Sequence, residues 1–302
     1  MYPVKMIGLL TVFNLLVLTA CSSDKSTAPA DDVRSLNEIC FDGGELVMGS
    51  DHHYPEEGPS RVVQVKPFCL DTNEVKVADF EKFVNATGYR TVAETGPDPK
   101  DYPGQPPEYF QPGGSVFVFP TVTSPGYWSF NAQANWRQPF GIAQSIVEAE
   151  EHPVTQIAFK DAHSFASWLG RRLPTEAEWE FAAKRGGLSI DQVSADNGDI
   201  ANIWNGEFPL FNSKNDGYEG TAPVGSYAAD ANGIFDMLGN VWEWTADSYD
   251  KQKSSDGRQY VIKGGSHLCA TNFCARFRPE ARQPQDSGLG SSHIGFRTAR
   301  SR

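Results

Sequence analysis

The chain has 302 residues, with 26 Lys and Arg against 38 Asp and Glu, a formal net charge of −12 and 12% aromatic residues. Phosphate binding needs a basic surface, so this balance argues against a nucleic-acid partner and for a well-hydrated exterior. The 28 Gly and 20 Pro give a loop-rich composition and argue against a fold dominated by long helices, in a chain long enough for one large core or two modest domains.

The N-terminal stretch "MYPVKMIGLLTVFNLLVLTACSS" places Lys5 before an apolar run from Met6 to Ala20. That run is shorter than the roughly 20 residues of a spanning helix and fits the apolar region of a signal peptide. Leu18-Thr19-Ala20-Cys21 looks like a bacterial lipobox, where cleavage before the cysteine leaves a thiol carrying diacylglycerol. Residues 1–20 are therefore expected to be a lipoprotein signal peptide and Cys21 the lipidated residue. The simpler alternative is an ordinary signal peptide with an incidental cysteine. "SSDKSTAPADD" is small, polar and proline-bearing, so residues 21–37 read as a flexible tether. Ser22 in place of Asp favours the outer membrane. A periplasm-facing protein anchored through its lipid is the expectation.

Export changes how the other cysteines are read, because thiols outside the cytoplasm tend to oxidise. Cys40, Cys69, Cys269 and Cys274 permit three pairings. Residues 38–70 read as two β segments around the acidic turn "DHHYPEEGPS". Cys40 precedes one segment, "GGELVMGS", and Cys69 ends the other, "RVVQVKPFCL". A Cys40–Cys69 staple and two free buried thiols both fit.

No change of composition marks a second domain, and residues 38–302 are taken as one. In "EVKVADFEKFVNATGY", Val77, Phe80, Phe83 and Val84 have helical spacing and Gly88 stops the helix. Residues 91–150 carry Pro, Gly and aromatics without period and read as a long packed excursion. "FKDAHSFASWLG" puts Phe159, Ala162, Phe165, Ala166 and Leu169 on one stripe. "LPTEAEWEFAAKRGG" has a capping box of Thr175 and Glu178, basic residues in its last turn, and two terminating glycines. From residue 200 onward only short strands and loops are legible. The class is α+β with little regular structure.

None of the six histidines, His52, His53, His152, His163, His267 and His293, forms HExxH or another close metal-ligand spacing. GxSxG, Walker and kinase motifs are absent. The cysteine pair in "KGGSHLCATNFCARFRPEAR" remains. In a helix the two positions would point about 140° apart, and in a strand to opposite faces, so only a turn converges them. Two thiolates would suit Cu(I), and Arg276, Arg278 and Arg282 would favour their charged forms. On spacing alone a Cys269–Cys274 disulfide is the plainer expectation. A second feature is oxygen-rich loops: Asn202, Asn212, Asn215, Asp216 and Glu219, then Asp236, Asn240 and Glu243. Such loops suit Ca²⁺, or merely bond locally within turns.

Segments along the whole mature chain resemble the formylglycine-generating enzyme family, in a bacterial lipoprotein form. They include "MGSD" at 48–51, "ANWRQP" at 134–139, "RRLPTEAEWEFAA" at 171–183, "ANIWNGEFP" at 201–209, "DGYEGTAPVGSY" at 216–227 and "GNVWEWTAD" at 239–247. LPTEAEWE and GNVWEW mark a broad superfamily, whereas GGSxxCxxxxCxRxR is far more specific. The resemblance implies a compact, irregular α+β fold related to C-type lectin-like folds. It also implies a copper-dependent oxidase that converts the cysteine of Cys-x-Pro-x-Arg in an unfolded sulfatase to formylglycine with O₂.

Carried over residue by residue, the resemblance makes Cys269 and Cys274 the copper ligands and redox centre. Ser266 becomes a catalytic residue, and Trp242, Arg278 and His293 line the substrate cleft. Asn202, Ile203, Asp216 and Tyr218 would form one calcium site, and Asp236, Gly239, Val241 and Glu243 another. A monomer is expected. His293 departs from the usual Asn, Pro279 and Thr298 replace cysteines of animal members, and Glu280 replaces an alanine. The competing readings are a non-catalytic lipoprotein scaffold on the same fold, and an iron-dependent sulfoxide synthase, which lacks its clustered histidines here.

Overall fold

The computed structural model describes residues 37–141, 149–187, 200–249 and 258–302. The expected signal peptide, Cys21 and the expected tether up to residue 36 lie outside the described residues. The domain is a mixed α/β fold with few helices.

Strand β1 (Glu38–Phe41) and strand β4 (Phe68–Asp71) pair antiparallel, and β4 also pairs with β13 (Ala299–Ser301), so the two ends of the domain meet on one central strand. Between β1 and β4 lies a hairpin of β2 (Gly44–Met48) and β3 (Arg61–Val65). The 38–70 region thus holds four strands where two were expected. The chain breaks at Gly43 and Gly44, both at positive φ, and at Pro67, which has no N–H to offer a ladder. Cys40 lies within β1, directly opposite Cys69 in β4, and the two are joined by a disulfide.

Helix α1 (Val77–Thr87) buries Phe80, Phe83 and Val84 and ends at Gly88, whose φ of 69° is left-handed. A one-turn helix α2 (Val92–Thr95) follows, capped by Thr91 and Glu94. Helix α3 (Phe159–Trp168) buries Ala162, Phe165 and Ala166. Buried Asp161 accepts from Ala158 N, Tyr89 Oη and Val92 N, at 2.9, 3.0 and 3.0 Å, and so ties the exit of α1 and the entry of α2 to α3. Helix α4 (Glu176–Arg185) carries the expected box: Glu178 N donates to Thr175 Oγ1 at 3.1 Å, and Thr175 N donates to Glu178 Oε2 at 2.9 Å.

The excursion after α2 contains a hairpin of β5 (Gly114–Val118) and β6 (Tyr127–Asn131). A smaller hairpin joins β7 (Gly206–Glu207) to β8 (Phe211–Asn212). A four-stranded sheet has the order β11 (Gln283–Asp286), β10 (Gln259–Lys263), β9 (Trp242–Ser248), β12 (Ile294–Gly295), with β12 parallel to β9. Helix α4 packs between this sheet and the β2–β3 hairpin. Beside a small cluster of Trp204, Leu268 and Ala270, two large apolar clusters result. One surrounds Trp179, Phe181 and Phe68, and the other joins α1 and α3 to Trp242, Trp244, Phe296 and Cys269.

Candidate functional site

The site begins where β10 ends. Gly264 and Gly265 have φ of 95° and 79°, and a β-carbon on Gly265 would lie 3.0 Å from Phe277 Cα. Only glycine lets the chain cross that closely. Buried Ser266 then folds the backbone inward: its carbonyl accepts from Cys269 N at 2.8 Å and its Oγ from Leu268 N at 3.3 Å. Ala270 and Phe273 exchange backbone hydrogen bonds of 2.8 and 3.1 Å around Thr271-Asn272. The turn required to converge the two cysteines is this one. Cys274 leaves it at φ 54°, a left-handed conformation costly for a residue with a β-carbon.

The two thiols are unbonded, with Sγ atoms 3.6 Å apart, Cys269 buried and Cys274 half-buried. Cys269 holds its proton: its hydrogen bond to Cys274 and its burial both push its pKa well up. The same hydrogen bond, with the Arg276 guanidinium 3.9 Å away, brings Cys274 down to about 7. Gln283 Nε2 stands 3.8 Å from the same sulfur. One thiol is thus kept neutral and its neighbour is poised to ionise.

Of the three expected arginines only Arg276 reaches a cysteine. Its Nε and Nη2 bind Glu56 Oε1 at 2.9 and 2.6 Å, and its guanidinium lies 3.8 Å over the Tyr54 ring. Arg278 is 3% exposed. It pairs with buried Glu57 and donates to Ala275 O, so it braces the loop from below and does not line an open cleft. Arg282 turns away to Glu176 at 2.7 Å. Glu280 pairs with Lys184 at 3.1 Å and leaves the arginines alone. Tyr54, Glu56 and Glu57 are site residues that the sequence hid: "YPEE" reads as a polar turn, and its partners lie about 220 residues downstream.

Trp242, 1% exposed, is buried in the apolar cluster that also contains Cys269. His293 lies beneath the Trp128 ring at 4.6 Å and shares a 2.7 Å hydrogen bond with Ser291. Burial, and then the nearby His267, hold its imidazole below the ordinary range, and burial brings His267 to about 4. Both rings are neutral near pH 7.

The oxygen-rich loops run directly under the cysteine turn. Trp204 N donates to Cys269 O, His267 N to Asn240 O, and Gly239 N to Gly264 O, each at 2.9 Å. Asp216 lies beside Ile203 and Asn205, and burial raises its pKa. Its Oδ2 and Asn205 Oδ1 are buried atoms with no hydrogen-bond partner, which is the condition a bound cation would relieve. Asn202 is turned toward Gly220 and Asn240 through its Nδ2, and Tyr218 N donates to Asp216 Oδ1. In the second group, Asp236 accepts from Gly225 N at 2.6 Å. Both Glu243 oxygens are taken, by Arg297 at 2.7 and 2.8 Å and by Trp179 Nε1 at 2.9 Å. Glu74, missed by sequence reading, is buried beside Asp236 and Glu243, and its Oε1 has no partner. Burial, then these two acids, hold its carboxyl well above the usual range. Three buried acids against Arg297 fit an additional cation.

The chain matches the sulfatase-modifying factor enzyme 1-like domain over residues 24–302. It is 41% identical to the formylglycine-generating enzyme of Mycobacterium tuberculosis, covering 84% of this chain and 94% of that protein. It is 36% identical to the mouse protein named inactive C-alpha-formylglycine-generating enzyme 2, covering 86% and 84%. The fold is shared with PvdO from Pseudomonas aeruginosa, at TM-score 0.62 and 24% identity over 88% of this chain and 94% of that one. A cysteine turn laid across oxygen-rich loops, and a family match that spans the described domain, place this chain in the sulfatase-modifying factor, or formylglycine-generating enzyme, family.

Proposed function

We propose that this protein converts a cysteine of a sulfatase polypeptide to formylglycine, using O₂ and a copper ion held by Cys269 and Cys274. The observation that carries the reading is the turn that holds two unbonded thiols 3.6 Å apart, one buried and one poised. Two soft sulfur donors favour Cu(I) over hard cations. When bound, that ion would supply the redox chemistry with O₂.

The remaining roles belong to the chain. Ser266 fixes the direction of the Cys269 backbone through its carbonyl. Arg276 favours the Cys274 thiolate, the form that binds metal and the form a metal must generate by displacing protons. Burial of Cys269 and the packing around Trp242 keep water from that side of the pair. The neutral His293 and its Trp128 lid offer a hydrogen-bonding and apolar wall to a bound peptide.

Asp216 with Asn205 and Ile203, and Glu74 with Asp236, are the residues that would hold calcium, setting the floor on which the cysteine turn rests. Glu243 serves the Arg297 pair in this arrangement. Lipidation at Cys21 and a periplasm-facing position on the outer membrane complete the reading. They suit chemistry that needs O₂ and client chains that are exported.

The test is direct. Purified protein, loaded with Cu(I) and supplied with a reductant, is incubated with a Cys-x-Pro-x-Arg peptide and examined by mass spectrometry. Conversion of the cysteine to an aldehyde is expected, and its absence would sink the oxidase. A non-catalytic lipoprotein scaffold is the second reading, favoured by the mouse relative whose name calls it inactive. It gains if the two thiols close into a disulfide that takes up no Cu(I).

A further inference from the structure

Beside the cysteine turn, a run of large rings in mutual contact is exposed at its two ends and half-buried between them. Phe273, which precedes Cys274, is 55% exposed and stacks on Phe208 at 4.7 Å with 10° between the planes. Phe208 meets Phe117 at 5.2 Å, and Phe117 meets Trp128 at 5.3 Å. Trp128, 46% exposed, closes the line against His293. With Phe119, 39% exposed beside half-buried Phe117, these rings leave an apolar surface of the kind that marks an interaction site.

We infer that this aromatic track holds the apolar flank of an extended client polypeptide while its cysteine reaches the Cys269–Cys274 pair. The inference rests on the proposed reading that the client is a polypeptide cysteine, and adds what the client must carry beside it. Three features choose this occupant. The track is continuous with the site, since Phe273 adjoins Cys274 in the chain. Its centroid steps of 4.7, 5.2 and 5.3 Å span about four residues of extended chain at roughly 3.3 Å each. The run is narrow, joined only by Phe119 at Phe117 and Trp204 at Phe208 among the described residues, and suits one strand with alternate side chains turned down onto it.

The third feature is a cavity of about 440 Å³ at Phe117, lined by Phe117, Phe119, Phe140 and Leu268 and by the polar Glu219, His267 and Ser292. Leu268 adjoins Cys269 in the chain, which sets the cavity next to the cysteine turn. Its lining is mostly apolar, and its volume would admit a large aliphatic or aromatic side chain. The rings already hold one another, with Phe119 also stacked on Trp204 at 5.4 Å. Little side-chain entropy is therefore lost when a peptide binds.

Two fluorescent peptides test this, each with its reactive cysteine replaced by serine. One carries leucine and phenylalanine at alternate flanking positions, and the other carries serine there. Fluorescence anisotropy on the purified chain reads binding without turnover. The apolar peptide is expected to bind at least about tenfold tighter. Phe273→Ser, a change at an exposed ring, should remove most of that preference, and Trp128→Ser the rest, each checked for folding by circular dichroism. With the cysteine restored, the same substitutions should raise KM for the apolar peptide more than they lower kcat.

Equal affinity for the two peptides, or a preference unchanged by both substitutions, overturns the track. Binding preference without turnover would keep the track and defeat the oxidase, and turnover without preference would do the reverse. A concentration-dependent dimer that Phe273→Ser dissociates, and that the apolar peptide does not displace, would assign the rings to a second copy of this chain and also overturn the inference.

Discussion

The two cysteine pairs of the described domain have opposite states. Cys40 and Cys69 sit opposite each other on antiparallel strands and are bonded. Cys269 and Cys274 flank a turn, with free sulfurs 3.6 Å apart. The surroundings differ as much as the geometry. Around the first pair, Arg171 binds Glu38 at 2.8 Å, Asp71 at 2.5 Å and Thr298 at 2.7 Å, tying β1, β4 and the last strand together. Around the second, Phe273 is exposed, Cys274 takes up a costly backbone conformation, and Arg276 is held by Tyr54 and Glu56 so that it points at a sulfur. The first region is built to stay closed, and the second to present thiols.

The largest expected effect separates these roles. Cys269→Ser and Cys274→Ser should each reduce peptide oxidation to background while the melting temperature stays within about 2 °C, since no bond is lost. A large fall in melting temperature in either variant would show that the second pair is also structural. The disulfide is expected to behave in the opposite way. Replacing Cys40 and Cys69 together by alanine should cost about 3 kcal/mol. For a domain of this size that is a fall of roughly 6–12 °C in a thermal melt, with turnover per folded molecule retained. Lost turnover in a folded double variant would make the two pairs coupled.

The third effect is smaller and confined to the open pair. In metal-free protein the Cys274 thiol titrates at about 7. Removing the Arg276 charge withdraws support from the thiolate, so the midpoint should move up. The rate of alkylation by iodoacetamide at pH 7 should fall about three- to tenfold in Arg276→Gln. The shift is partial because the hydrogen bond from Cys269 remains. A midpoint that stays in place would assign the lowered value to the cysteine pair alone. The fourth concerns the floor beneath the turn. Added calcium should raise the melting temperature by a few degrees, on the scale of about 2 kcal/mol at saturating ion, and Asp216→Asn should remove part of that increment, leaving the share of Glu74 and Asp236. An increment that survives in full would show that Asp216 holds no ion.

Much of the helical framework was legible because its signals are local. Gly88 ends α1 through one residue's backbone, and Thr175 with Glu178 caps α4 within four residues. The strands were harder. The region 38–70 read as two segments because Pro67 falls inside "RVVQVKPFCL" and the short strand before Gly43 has no clear pattern of its own; the division appears only when β1 pairs with β4 and β2 with β3. In the site, the motif around Cys269 and Cys274 was plain, and so was the need for a turn. The guanidinium that reaches Cys274 could not be chosen among Arg276, Arg278 and Arg282. That choice depends on Glu56 and Glu57, whose distant turn carries no periodic signal. Thr298, read as a lost cysteine, instead joins Asp71 and Arg171 in the network beside the disulfide.

The sequence by itself determined the family, the α+β class, the major helices with their caps, and which cysteines to suspect. Each depends on residue identity at short range or on a pattern kept along the chain. The tertiary structure alone decided that one cysteine pair is bonded and the other free, that Arg276 and not Arg278 serves the thiol, and that Glu74 lies among the buried acids. It also decided that rings from three separate segments line up beside Cys274. These outcomes depend on which distant residues share a neighbourhood, where burial, charge and hydrogen bonding are set by partners that chain order does not reveal.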